Sequence, residues 1–233
     1  MPLVKGGMKL KYTLLILPAF VIPFLAQGAS AEDLTARFDT KHKTCLEQIA
    51  VDADQAFEEA MAWRDDGGGR RAKHCEAMAL FALGQKEEAA FRLDTLAKAP
   101  DGGSPAMRAG YYLEAANFWL FARNTQKAYD STTAGLKIQM QSIDLRIARA
   151  RAYALLERYN DAEIDLTNAL RIEPTHAGAL RYRADARRHL GKLRLAKSDI
   201  EAALRADPNS VETAIVRGEI NEALRKDLLP KSQ

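Results

Sequence analysis

The sequence predicts an all-α solenoid of about five helix-turn-helix repeats with a C-terminal capping helix. Three observations predict it. First, residues recur at an offset of 34: Pro174 with Pro208, Ala162 with Ala196, Leu166 with Ile200, Ala169 with Ala203, Leu170 with Leu204 and Ala150 with Ala184. Second, no stretch of the chain reads as a strand. Third, 47% apolar and 28% charged residues suffice for a buried core without the excess charge of a disordered chain.

The first element is an address. Lys5, Lys9 and Lys11 precede an uncharged, mostly aliphatic or aromatic run from Thr13 to Ala26, and Ala29-Ser30-Ala31 follows. A basic start, a short apolar middle and a small-residue site predict a secretory signal peptide over residues 1–31, cleaved after Ala31. The expected location is therefore the periplasm. Met8 could also initiate the chain, since residues 8–31 contain the whole signal. The competing reading is an uncleaved leader that tethers the protein. That run is shorter than the roughly 20 apolar residues a spanning helix needs, and Pro18 and Pro23 interrupt it. Without the three leader lysines, 31 bases face 31 acids. Net charge thus gives no reason to expect nucleic acid or stable membrane insertion.

Residues 32–108 are expected to form degenerate repeats. Ala53, Phe57, Ala60 and Met61 suit the second helix of a first unit, which Asp65-Asp66-Gly67-Gly68-Gly69 ends. Ala77, Leu80, Leu83-Gly84, Ala89, Leu93 and Leu96 suit a unit at roughly 70–103, after which Asp101-Gly102-Gly103-Ser104-Pro105 makes a loop. Three clearer repeats follow at 109–142, 143–176 and 177–210. Residues 211–233 supply a capping helix, Val211 to Asp227, and a tail.

These residues resemble the tetratricopeptide repeat family, whose unit is a 34-residue helix-turn-helix. The resemblance rests on small residues at positions 8 and 20, a large apolar residue at 24, Ala at 27 and Pro at 32. The last repeat has Ala184, Ala196, Ile200, Ala203 and Pro208, with the turn glycine Gly191. The one before has Ala150, Ala162, Leu166, Ala169 and Pro174; the first has Ala116, Trp119 and Ala128, but Thr132 and Met140 in place of the large residue and the proline. Arg149 and Arg183 stand where the family usually has Leu. The resemblance implies a right-handed solenoid and a non-catalytic module that binds a protein or peptide along its concave face. Mapped onto this chain, the groove candidates are Leu113, Asn117, Phe121, Arg151, Arg181, Asp185, Arg188 and His189. They grade from apolar near Phe121 to basic near Arg181 and Arg188, which suits a peptide with an acidic end. A family variant that grips a terminal carboxylate needs Lys and Asn at positions 5 and 9; here Leu113 and Asn117 occupy them.

Cys45 and Cys75 are the two cysteines, and an exported chain with an even count favours a disulfide between them. The alternative is a metal or redox site using His42, Cys45, His74 and Cys75. Adjacent His74 and Cys75 diverge on a helix, which argues against a shared ion. Gly67-Gly68-Gly69 lacks the lysine and strand of a phosphate loop, and Asp52 reads as a helix cap rather than a calcium ligand. No nucleophile, zincin or dinucleotide motif is present. The expectation is no enzyme activity and no cofactor.

Overall fold

The computed structural model describes residues 1–2 and 31–228. The apolar run Thr13–Ala26 of the expected leader, and the last residues of the tail, lie outside the described residues. Helices α1 (Ala31–Ile49) and α2 (Ala53–Trp63) form the first hairpin, α3 (Gly69–Ala82) and α4 (Lys86–Lys98) the second, and α5 (Pro105–Phe121) and α6 (Thr125–Ile138) the third. Then come α7 (Ile143–Leu155) with α8 (Tyr159–Ile172) and α9 (Ala177–His189) with α10 (Leu193–Ala206), and α11 (Val211–Asp227) closes the stack. Among the described residues there is no strand, and no helix is long and apolar enough to cross a membrane. The fold is an all-α solenoid.

Local chemistry sets where each helix starts. Ser104, Ser142, His176 and Ser210 cap α5, α7, α9 and α11, each side chain accepting from the backbone N–H three residues on. The last three of these caps recur at the 34-residue spacing. Asp52 caps α2 in the same way, accepting from Gln55 N–H at 2.9 Å. Between α2 and α3 a π-helical turn, Arg64–Gly68, carries Gly67 at φ 87°. Gly68 lies so close to Trp63 that a Cβ there would meet the indole at 2.7 Å. The sharp turn and the tight contact both require glycine.

Small residues let the helices approach. Ala116, Ala128, Ala150, Ala162, Ala169, Ala184, Ala196 and Ala203 are all essentially inaccessible, and Leu166 and Ile200 fill the gaps beside them. The third hairpin solves the same problem with different residues. Thr132 is fully buried and gives its hydroxyl to the Ala128 and Tyr129 carbonyls, while Leu145 from α7 fills the space over Gly135. Where the last two repeats carry proline, the Met140 carbonyl instead accepts from Arg146 at 2.8 Å.

The two arginines that depart from the repeat pattern hold the hairpins together. Arg149 donates to both oxygens of Asp165 at 2.6 and 2.8 Å, and Arg183 donates to both oxygens of Asp199 at 2.8 Å. The carboxylates are 3% and 5% exposed. Each pair joins the first helix to the second across 16 residues. The second hairpin has the same pair with the charges exchanged: Glu76, 2% exposed, accepts from Arg92, again across 16 residues, and from Arg64 at 2.8 Å. The third hairpin has Ala115 and Ser131 at these places, and Ser131 turns its hydroxyl to Asp94 instead.

The packing can be tested at two places. Asp199→Ala leaves Arg183 without its partner and should cost about 3 kcal/mol in urea unfolding. The double replacement Arg183→Met with Asp199→Leu should recover part of that, because it leaves no unpaired Arg183, while Arg187, which also donates to Asp199 at 2.7 Å, keeps Glu163. Separately, Gly84, Arg123, Glu157 and Gly191 occupy the same turn at φ 82°, 58°, 58° and 70°. Glu157→Gly should therefore raise stability by about 0.5 kcal/mol, the left-handed strain relieved outweighing the added chain entropy.

Candidate functional site

Successive first helices touch one another: α1 with α3, α5 with α7, α7 with α9 and α9 with α11. No pair of successive second helices among the described residues approaches to a comparable extent. Neighbours crowd on the inner side of a curve, so the odd-numbered helices line the concave face.

Polar contacts cross that face from repeat to repeat. His42 on α1 meets His74 on α3 at 2.9 Å, and His74 meets Glu114 on α5 at 2.8 Å. Asn117 on α5 accepts from Arg151 on α7 at 2.9 Å, and the Arg151 guanidinium lies 5.8 Å from the ring centre of Tyr182 on α9. Arg188 on α9 pairs with Glu219 on α11 at 3.2 Å. One helical turn further along α5 and α7, at the rim near the helix turns, stand two exposed apolar side chains, Phe121 at 59% and Leu155 at 61%. Phe121 meets Phe81 edge to face, and Phe81 stacks on Phe118 with ring centres 3.7 Å apart.

All the expected groove residues lie on the first helices α5, α7 and α9, where they have different duties. Leu113 is half-buried against Ala109, Leu136 and Leu145. Asn117 is committed to Arg151. Asp185 and Arg188 pair with each other at 2.6 Å. His189 stacks on Tyr159 of the preceding repeat, ring centres 4.2 Å apart, and lies on the rim near the helix turns. Arg181 lies 4.3 Å from the Tyr182 ring centre. Sequence reasoning passed over Tyr182, His42, His74 and Glu114 as inner-face residues. For Tyr182 a signal existed: it follows Arg181 and sits 34 residues after Ala148, on a helix already assigned to the inner face.

Cys45 and Cys75 are bonded to each other, with Cα atoms 6.3 Å apart. The bond belongs to a seam between α1 and α3. Along it Asp39 accepts from Arg71 at 2.5 Å, His42 meets His74, and Cys45 joins Cys75. Both cysteines are consumed, and His74 directs its two ring nitrogens to opposite partners. Among the described residues no group of three or more His, Cys, Asp or Glu converges on a metal position. A recess of about 620 Å³ opens elsewhere, between the overhanging start of α1 and the Trp63 indole.

Burial holds the His42 imidazole down to about 4, with help from the neighbouring His74 and Arg71 and against Asp39 and Glu114. The Arg71 guanidinium holds the Asp39 carboxyl below its usual range.

No family model matches the chain, and no curated protein sequence matches it. Solved structures do. The first TPR domain of the human RPAP3 protein is 30% identical over 53% of this chain and 96% of that one, with a TM-score of 0.50. A TPR protein of Thermus thermophilus, TTC0263, covers 79% of this chain and 99% of its own at 19% identity, with a TM-score of 0.57. MamA from Desulfovibrio magneticus RS-1 covers 68% of this chain and 85% of its own at 16% identity, with a TM-score of 0.58. With five stacked hairpins among the described residues, the 34-residue repeat and the likeness to the RPAP3 domain, the chain belongs to the tetratricopeptide repeat family.

Two measurements probe the seam. Cys45→Ser with Cys75→Ser should cost about 3 kcal/mol, by restoring freedom to the unfolded loop. The loss should concentrate in faster amide exchange over α1. In the pH profile, His42 takes up a proton more readily unfolded than folded. Its contribution is full above pH 6.5 and declines as pH falls toward 4. The decline should amount to about 2 kcal/mol after allowing for its partial exposure, and His42→Gln should remove that part of the slope.

Proposed function

We propose that this protein is a non-catalytic interaction scaffold of the cell envelope that holds a peptide or protein segment along its concave face. The observation that carries the reading is that exposed Phe121 and Leu155 stand one helical turn beyond Asn117 and Arg151 of a fixed polar line, at the rim of the same first helices. Large apolar side chains left open beside preorganised donors are the usual make-up of an interface centre. The inner face is assembled from several rigid helices, so little ordering accompanies binding. The basic, apolar and small-residue order of residues 1–31 supports export to the periplasm, where the disulfide persists. Against the metal reading, the two cysteines are bonded to each other and the His42 and His74 rings face each other.

A random 12-residue peptide display library panned on the purified protein tests the groove. Retained peptides should lose at least about tenfold in affinity to Phe121→Ala and to Leu155→Ala, since each removes buried apolar contact. Ile164→Ala, on the outer second helix α8, should leave affinity unchanged. Retained peptides that respond to Ile164→Ala and ignore the inner face would refute the reading. Export is tested by mass measurement of the protein recovered from the envelope of its source cell, which should begin at Glu32.

A further inference from the structure

The inner face carries two kinds of arginine. Arg188 is neutralised by Asp185 and Glu219, at 2.6 and 3.2 Å. Arg149 and Arg183 are spent on the buried carboxylates of Asp165 and Asp199, and Arg187 on Asp199 and the half-buried Glu163. Arg151 and Arg181 differ: among the described residues neither has a carboxylate within ion-pair distance. Asn117 accepts one N–H of Arg151, and both guanidiniums lie over the one ring of Tyr182, at 5.8 and 4.3 Å. Asp185, one helical turn beyond Arg181, faces Arg188 instead. Glu212 on α11 feels the charge of Arg181 from outside contact distance.

We infer that Arg151 and Arg181, set on Tyr182, form a receptor for one internal Asp or Glu side chain of the bound peptide. This inference rests on the groove reading above and names the chemistry of its partner. Two like charges held beside one phenol ring repel, and a carboxylate placed between them relieves that repulsion while taking forked hydrogen bonds. Asn117 and Tyr182 hold the arginines in place beforehand, so little side-chain freedom is lost on binding. Both arginines are half-buried, which weakens the screening that makes exposed charges ineffective.

The surroundings select the occupant. Glu212 on α11 brings negative charge toward Arg181, and Asp185 and Glu219 offset the charge of Arg188, so the positive charge left over is local to the pair and suits a single carboxylate rather than a polyanion. The neighbouring rim is apolar, at exposed Leu155 one turn beyond Arg151 on α7 and at Phe121 on α5. Adjacent helices pack about 8–10 Å apart. An extended peptide would thus place an apolar residue about three to six positions from its acid. A chain-terminal carboxylate is not the expected ligand: Leu113 stands where a lysine would be needed, and the Asn117 oxygen is taken by Arg151.

Peptides retained by the library should carry Asp or Glu at that spacing from an aromatic or aliphatic residue. Replacing the acid by its amide should weaken binding about 10- to 100-fold, whereas amidating the peptide's C-terminus should change nothing. Arg151→Met and Arg181→Met should each shrink the acid-over-amide preference toward unity, and Arg188→Met should preserve it. Circular dichroism of each variant reports that the fold is intact. Retained peptides that respond to Phe121→Ala but do not distinguish Glu from Gln would overturn the receptor and leave the groove standing. Displacement of the peptide by millimolar inorganic phosphate would overturn it in favour of a general anion site. Failure to retain any peptide would remove the groove reading and the receptor together.

Discussion

The structure depends on the buried ion pair between the two helices of a hairpin. An arginine on the first helix and an aspartate on the second meet in a fork of two short hydrogen bonds, deep enough that the carboxylate is almost inaccessible. Apolar contacts between alanine-rich helices are forgiving: a slide of one turn still sets small residues against small ones. A forked pair with a desolvated carboxylate is not forgiving, because a slide leaves a buried charge unmatched. The pair therefore acts as a register pin. Its exchange of charge in the second hairpin, Glu76 with Arg92, shows that either sign can stand on either helix, whereas the third hairpin, with Ala115 and Ser131 at these places, is held by other contacts.

The pinned hairpins place the functional surface. Where the pair is present the first helix is held in register with its second, and the first helices stack so that their side chains meet across repeats. Asn117 reaches Arg151, Arg151 reaches Tyr182, and Arg188 reaches Glu219 by this regularity alone. At the other end the repeat pattern is weakest, and a different means replaces it. Asp39, His42 and Cys45 face Arg71, His74 and Cys75 one turn after another, so that ion pair, imidazole pair and disulfide fasten the terminal helix. That helix has a neighbour on one side only, and a covalent bond compensates for the apolar burial it lacks.

The caps, the helices and the glycine turns were legible in the sequence because each is local. Ser210 caps α11 through a bond to Thr213, three residues away, and Asp52 caps α2 likewise. Repeat geometry was legible because period is a property of the chain itself. Arg149 and Arg183 looked like departures from the pattern, since the aspartates that explain them sit on another helix and carry no mark of burial in the sequence. The groove was legible as a set of positions but not as a set of charges. Arg181 and Arg188 both counted as basic, and only the fold shows that one is neutralised and the other is not.

The chain alone determined that there would be helices, where they would begin, how often they would recur and that two cysteines would be available to bond. Those outcomes follow from interactions within a few residues or from a period that any stacked hairpin must keep. Tertiary structure decided which charges remain unpaired on the inner face and which are spent within it. Such pairing is set by distances between side chains tens of residues apart, which exist only once the hairpins have stacked.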